Sequence, residues 1–170
     1  MKIAPLPVIT LLCVLSLLLG GCSRDPGPVS STEVAIRGLQ AAAFSGDGKH
    51  LSIGSVHHGG SLWRTTDGER RFNWNHKSGD YSTIIASDFS ADGRWALTAE
   101  THTLVLWDMQ TGEASRFWTA PGDVLSVSLS SNGNYALLGL NNFSAVLFDI
   151  KRGGIKRTLQ HSNRVRSVDL

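Results

Sequence analysis

Phe44-Ser45-Gly46-Asp47-Gly48 decides the fold of this 170-residue chain, because the pattern is repeated. It returns as Phe89-Ser90-Ala91-Asp92-Gly93 and as Leu129-Ser130-Ser131-Asn132-Gly133, at steps of 45 and 40 residues. A second landmark keeps the same phase and is found at Leu62-Trp63-Arg64, Leu106-Trp107-Asp108 and Leu147-Phe148-Asp149. A fixed period of this length indicates an array of equivalent structural units.

Each unit is predicted to contain four short β-strands. In the second unit the expected strands are 82–89, 94–99, 103–107 and 113–118, with turns at Asp92-Gly93 and Thr111-Gly112. Asp-Gly is a strong hairpin signal, since glycine accepts a positive φ without steric cost. Strands of about five residues between turn signals favour an all-β fold.

A four-stranded unit that closes its third strand with Leu106-Trp107-Asp108 resembles the WD40 repeat. The resemblance implies a β-propeller with three blades at about 38–77, 78–119 and 120–161, and the first strand of a fourth at 162–170. It also implies that the repeated landmarks are structural residues, namely Trp63, Trp107, Asp108, Phe148, Asp149, Asp47, Gly48, Asp92, Gly93, Asn132 and Gly133.

WD40 blades carry a buried hydrogen-bonded set that consists of an Asp, a His, a Ser or Thr, and a Trp. The blades of this chain depart from that set. His57, Thr101 and Asn142 stand where the Asp of this set is expected. His76 and His161 stand near the expected histidine, but no glycine precedes them. We therefore expect divergent blades.

The repeat count predicts an incomplete ring, since propellers have about 4–8 blades. We expect the N-terminal part of a protein with about seven blades. Residues 33–37 would then be the outer strand that completes the last blade. The alternative is a short chain that closes its ring by oligomerising.

The N-terminus is predicted to be a lipoprotein export signal. Lys2 precedes an apolar run at 8–19, which is too short for a stable membrane span. Leu19-Gly20-Gly21-Cys22 resembles the bacterial lipobox, which implies a signal peptide at 1–21 and an acylated Cys22. Residues 22–33 are expected to form a flexible tether. Ser23 after the cysteine favours the outer membrane, facing the periplasm, and the alternative is an ordinary secretory signal.

The remaining residues carry no pattern that predicts catalysis. The 16 Lys and Arg residues nearly balance the 14 Asp and Glu residues, so the charge gives no indication of nucleic-acid binding. The six histidines are expected in exposed turns rather than in a metal site, and the five tryptophans are expected between blades rather than on sugars. Six cations between Lys151 and Arg166 are expected on a solvated loop and outer strand, and the alternative is a site for anionic lipid.

The sequence therefore predicts a membrane-anchored, periplasmic platform that binds other proteins and is not an enzyme. No cofactor, metal or small-molecule substrate is assigned to it. One alternative is a propeller dehydrogenase of the pyrroloquinoline-quinone type. Part of the repeat of that family is similar to the segment Asp108-Met109-Gln110-Thr111-Gly112. The other is an accessory lipoprotein of outer-membrane protein assembly.

Overall fold

The computed structural model describes residues 27–28, 31–35, 38–56 and 58–170. The predicted signal peptide at 1–21, Cys22, residues 23–26 and 29–30 of the predicted tether, Ile36, Arg37 and His57 lie outside these residues. Within the described ranges, no helix is long and apolar enough to cross a membrane.

Twelve strands of the described residues form three four-stranded antiparallel sheets, so the predicted all-β architecture of four-stranded blades is confirmed. Sheet 1 contains β1 (Leu39–Phe44), β2 (His50–Ser55), β3 (Gly59–Arg64) and β4 (Glu69–Asn73). Sheet 2 contains β5 (Ala86–Phe89), β6 (Trp95–Ala99), β7 (Thr103–Asp108) and β8 (Ala114–Thr119). Sheet 3 contains β9 (Val124–Leu129), β10 (Tyr135–Leu140), β11 (Ser144–Asp149) and β12 (Gly154–Gln160). In every sheet the spatial order of the strands follows the chain.

The hydrophobic core lies between successive sheets. The larger cluster joins sheets 2 and 3 and includes Leu97, Leu104, Val127, Leu138 and Phe148. The smaller cluster joins sheets 1 and 2 and includes Leu62, Trp74, Phe89, Val105 and Trp107. Both faces of sheet 2 are therefore buried, which explains why its central strands β6 and β7 are nearly continuous in apolar residues.

Glycines in the β7–β8 and β11–β12 turns let an aromatic side chain of the preceding sheet dock against them. A Cβ atom on Gly112 would lie 2.3 Å from the Phe72 ring, and one on Gly153 would lie 2.7 Å from Nε1 of Trp118. Both glycines also have a positive φ, of 76° and 74°. The same packing of an aromatic ring on a turn glycine thus joins sheet 1 to sheet 2 and sheet 2 to sheet 3.

Three expected strands differ in the structure. The strand expected at 82–89 is shorter, because pairing with β6 is regular only over Ala86–Phe89. Residues 33–35 of the expected outer strand form no strand. Residues 162–170 form no strand either, since the described chain offers this segment no second strand to pair with.

The segment 162–170 nevertheless begins as a further blade would. The Val165 amide donates to the Leu140 carbonyl at 3.2 Å, as the Val124 amide donates to the Thr101 carbonyl at 2.9 Å. The Val165 carbonyl also approaches Gly139, where an added Cβ would lie 2.5 Å away. Gly54 of sheet 1 receives the Ile84 carbonyl in the same way, with an added Cβ 2.3 Å away, so sheet 3 meets this segment as sheet 1 meets the chain that leads into sheet 2.

Candidate functional site

The β1–β2, β5–β6 and β9–β10 hairpins share one hydrogen-bond pattern at one end of the sheets. In the second hairpin the Ser90 hydroxyl donates to Oδ1 of Asp92 at 2.5 Å and accepts from the Trp95 amide at 3.0 Å. Oδ1 of Asp92 also accepts from the Arg94 amide at 3.0 Å. The same three contacts recur around Ser45 with Asp47 and around Ser130 with Asn132.

The glycine of each hairpin adopts a left-handed backbone conformation. The φ angles of Gly48, Gly93 and Gly133 are 68°, 70° and 67°. Because the serine and carboxyl or amide side chains bond to each other and to their own hairpin, they shape the turn and form no reactive group. In the first hairpin, the Ser45 hydrogen bond holds the pKa of Asp47 below its usual value, with help from the Lys49 amide.

The aspartates that close the third strand hold the next turn. Oδ1 of Asp108 accepts from the amides of Gln110 and Thr111 at 2.8 and 3.1 Å, and Oδ1 of Asp149 accepts from the Arg152 amide at 2.9 Å. Arg64 takes this position in sheet 1 and instead pairs with Asp67 and Glu69. These turns lie at the same end as the hairpins, and we call that end the turn face.

A buried hydrogen-bond network crosses sheet 2 near the opposite end, which we call the loop face. Nε1 of Trp107 donates to Oγ1 of Thr98 at 2.7 Å, and Oγ1 of Thr98 contacts Nε2 of His76 at 2.8 Å. Nδ1 of His76 contacts Oγ1 of Thr103 at 2.6 Å, and Thr103 donates to Oε2 of Glu100 at 2.9 Å. The side chain of His76 has 0% exposure.

The network assigns one tautomer to His76. The Glu100 carboxylate can only accept, so the Thr103 hydroxyl gives its proton to Glu100 and must itself accept from the imidazole. Nε2 is therefore unprotonated and accepts from the Thr98 hydroxyl, which accepts from the indole N–H of Trp107. Nδ1 then carries the ring proton and donates to Thr103, which donates to the Glu100 carboxylate. Burial lowers the pKa of His76 from 6.5 to about 4, against the opposing effect of Glu100, so the ring is neutral at pH 7.

This network corrects two sequence predictions. The side chain of His76 is buried, whereas the sequence predicted an exposed turn residue. Glu100, rather than Thr101, supplies the carboxylate, and Thr103 connects it to the ring. A carboxylate one residue before the expected position was the available signal in the sequence.

The other two sheets lack the partners of this network. Ile53 and Leu138 occupy the β2 and β10 positions that correspond to Thr98, so no hydroxyl is available there. Phe148 has no ring N–H, and Nε1 of Trp63 turns instead to Oγ of Ser61 at 2.8 Å. Sheet 3 is apolar at these positions, which matches its place in the larger core cluster.

We expect Thr98→Val to lower the free energy of unfolding by about 2 kcal/mol. The valine has nearly the same shape, but it leaves the N–H of Trp107 and Nε2 of His76 buried without partners. Urea unfolding at pH 7 measures the loss. The control is Thr119→Val on the exposed end of β8, and an equal, small effect of both variants would contradict the network.

The remaining predicted residues are dispersed. Trp74 is fully buried and stacks on Trp107 with ring centroids 5.4 Å apart, whereas Trp63, Trp95 and Trp118 are only partly buried. His58, His102 and His161 are exposed. In the part of the chain that the structure describes, no three His, Cys, Asp or Glu side chains converge in a way that would hold a metal ion.

Comparisons with known proteins agree with the fold. No family model matches the chain. It is 36% identical over 72 residues to cell division cycle 20.1, cofactor of APC complex, from Arabidopsis thaliana, across 39% of this chain and 16% of that protein. Its structure is similar to hydrazine synthase from Kuenenia stuttgartiensis, with a TM-score of 0.64 at 16% identity, over 85% of this chain and 41% of that one.

These likenesses and the three sheets fit a WD40-type β-propeller. The structural likeness shows the fold alone, because one fold supports many functions. The chain spans less than half the length of each of these two proteins. A fold of this type suggests a scaffold for protein interaction.

Proposed function

We propose that this protein is a lipid-anchored platform that faces the periplasm and binds other proteins. The observation that carries the proposal is the turn face, where six turns of three sheets are fixed by repeated hydrogen bonds. Surface turns held on a rigid frame present side chains at constant spacing, which suits recognition of a partner.

The polar residues of the turn face support recognition rather than chemistry. The side chains of Asp92, Asn132, Asp108 and Asp149 accept hydrogen bonds from backbone amides of their own turns. They therefore shape the surface, and the neighbouring exposed side chains are left to make contacts. A relative whose name describes it as the cofactor of a complex is in keeping with this proposal.

The membrane anchor rests on the sequence around Cys22. In our proposal the thiol is joined to diacylglycerol, the chain is cleaved before it, and the new N-terminus is acylated. Two or more acyl chains give stable attachment, whereas one chain gives only marginal binding. The segment from Ser23 to Thr32 would then act as the tether.

We expect Cys22→Ser to abolish labelling of the protein by radioactive palmitate in a Gram-negative host and to prevent cleavage before residue 22. Cys13→Ser is the matched control, because Cys13 lies in the proposed signal peptide, and it should leave both unchanged. Gel autoradiography and the mass of the N-terminal peptide measure the two effects. Undiminished labelling of the Cys22 variant would contradict the anchor.

The platform itself is tested by photo-crosslinking in living cells of the host. A photo-reactive amino acid is placed at exposed Gln110 on the turn face and, separately, at exposed Tyr81 on the loop face. We expect a discrete crosslinked protein band from the turn-face position that depends on irradiation. The absence of crosslinked protein from both positions would overturn the proposal.

A further inference from the structure

A basic groove on the turn face begins between sheets 2 and 3 and continues along sheet 3. It consists of two adjoining cavities of about 360 and 260 Å³ that share Asn134 and Lys151. Its cations are Arg94, Arg116, Lys151, Arg152 and Lys156. All lining residues belong to sheets 2 and 3 or their turns, so the groove is complete within the described chain.

The groove holds more positive charge than its own carboxylates balance. Two carboxylates line it, Asp92 and Asp149, and both accept hydrogen bonds from turn amides. Among the ion pairs of the described residues, none involves the five cations of the groove. The chain as a whole carries a formal net charge of only +2, so the groove concentrates positive charge locally.

Contacts within the groove hold several cations in place. The guanidinium of Arg94 lies 4.9 Å from the centre of the Trp95 ring, and Nζ of Lys156 lies 4.1 Å from that of Tyr135. Nζ of Lys156 also donates to the Tyr135 hydroxyl at 2.8 Å, and Nη1 of Arg116 donates to the Lys151 carbonyl at 2.9 Å. Side chains held in this way lose less conformational entropy when they bind an anion.

The lining favours a peptide over a membrane surface. The groove is concave, and Ser115, Asn132 and Asn134 place hydroxyl and amide groups beside the cations. Leu106 and Ile150 add an apolar floor. A peptide with carboxylate side chains can use all of these groups, whereas the flat surface of a bilayer meets only the outermost charges.

We propose that the basic groove binds an acidic, extended segment of a partner protein. This inference rests on the proposed function, since it names the kind of partner that the platform takes. It also divides the cations between Lys151 and Arg166, which the sequence predicted to be solvated as one group. Lys151, Arg152 and Lys156 line the groove, while Arg164 and Arg166 lie outside it.

The test is fluorescence anisotropy with a fluorescein-labelled oligoglutamate peptide and the purified protein at low salt. We expect saturable binding that weakens as salt rises, and a loss of about tenfold or more in affinity for Arg116→Gln/Lys151→Gln. The matched control is Arg164→Gln/Arg166→Gln, which removes the same charge outside the groove. It should change affinity by less than about twofold.

Three results would contradict the proposal that the basic groove binds an acidic segment. Equal losses in the two double variants would show that net charge alone attracts the peptide. Binding to phosphatidylglycerol vesicles without binding to the peptide would assign the cations to the membrane, and binding to neither would leave the groove without a ligand. In each case a crosslink to a protein from Gln110 would still support protein binding at the turn face. The proposal for the basic groove can therefore fail while the proposed function stands.

Discussion

Trp107→Ala is expected to lower the free energy of unfolding by about 3–5 kcal/mol. The side chain is 4% exposed, lies in the core between sheets 1 and 2, and stacks on fully buried Trp74. Its removal leaves a cavity the size of an indole and also leaves the Thr98 hydroxyl without its donor. Chemical unfolding followed by circular dichroism measures the change.

Trp63→Ala is the matched control, because Trp63 occupies the same position of the repeat in sheet 1. Trp63 is only partly buried, and its N–H bonds to Ser61 on its own strand. We expect it to cost about half as much as Trp107→Ala, or less. Equal destabilisation of the two variants would contradict the claim that Trp107 contributes more to the stability of the core than Trp63.

Stability is expected to fall by about 3 kcal/mol as the pH drops from about 6.5 to about 4, because of His76. The pKa of His76 is about 4 in the folded protein, against an ordinary value of 6.5. Between these two pH values the His76 ring is protonated in the unfolded chain but remains neutral in the folded chain. Unfolding is therefore favoured as the pH falls. Well above pH 6.5 the His76 ring is neutral in both the folded and the unfolded chain, and its contribution to stability is constant.

Urea unfolding at several pH values between 7 and 4 measures this dependence. In His76→Gln the dependence over this window should be much smaller, because the titrating ring is gone. The surface carboxylates whose pKa values are lowered, Asp47 and Asp67, act in a separate window below their ordinary value of 3.8. A flat profile in the unchanged protein between pH 6.5 and 4 would show that His76 is not buried as a neutral ring.

The sequence predicts the turns well because turn chemistry is local. Ser90, Asp92 and Gly93 lie within four positions, and the side-chain hydrogen bonds of Ser90 and Asp92 stay within their own hairpin. The same spacing at Asp47-Gly48 and Asn132-Gly133 predicts three equivalent sheets. Strand ends were less predictable, since the start of β5 depends on where regular pairing with β6 begins.

The buried network could not be predicted from local spacing. It joins His76, Thr98, Thr103 and Trp107, which come from a connection and two strands. Glu100 replaces the expected residue from one position away, and only the path of the β6–β7 turn shows that it reaches Thr103. A sequence pattern records the residue types, but the burial of His76 depends on the packing of sheet 1 against sheet 2.

The basic groove was missed for a similar reason. Along the chain Arg94 and Arg116 are separated from Lys151 by more than one strand, so they do not form a charge run. The packing of sheet 3 on sheet 2 brings them to one cavity. In contrast, Lys151 and Arg166 look like one cluster in the sequence but belong to different parts of the surface.

The most direct test of the account is to map the crosslink formed in cells from a photo-reactive residue at Ser115, which is exposed in the basic groove. Mass spectrometry of the crosslinked peptides identifies the contact on the partner. We expect one protein partner, crosslinked through a segment rich in Asp and Glu, in cells that carry the acylated protein. Crosslinks to lipid alone, or no crosslink from Ser115 or Gln110, would contradict a turn face that binds protein.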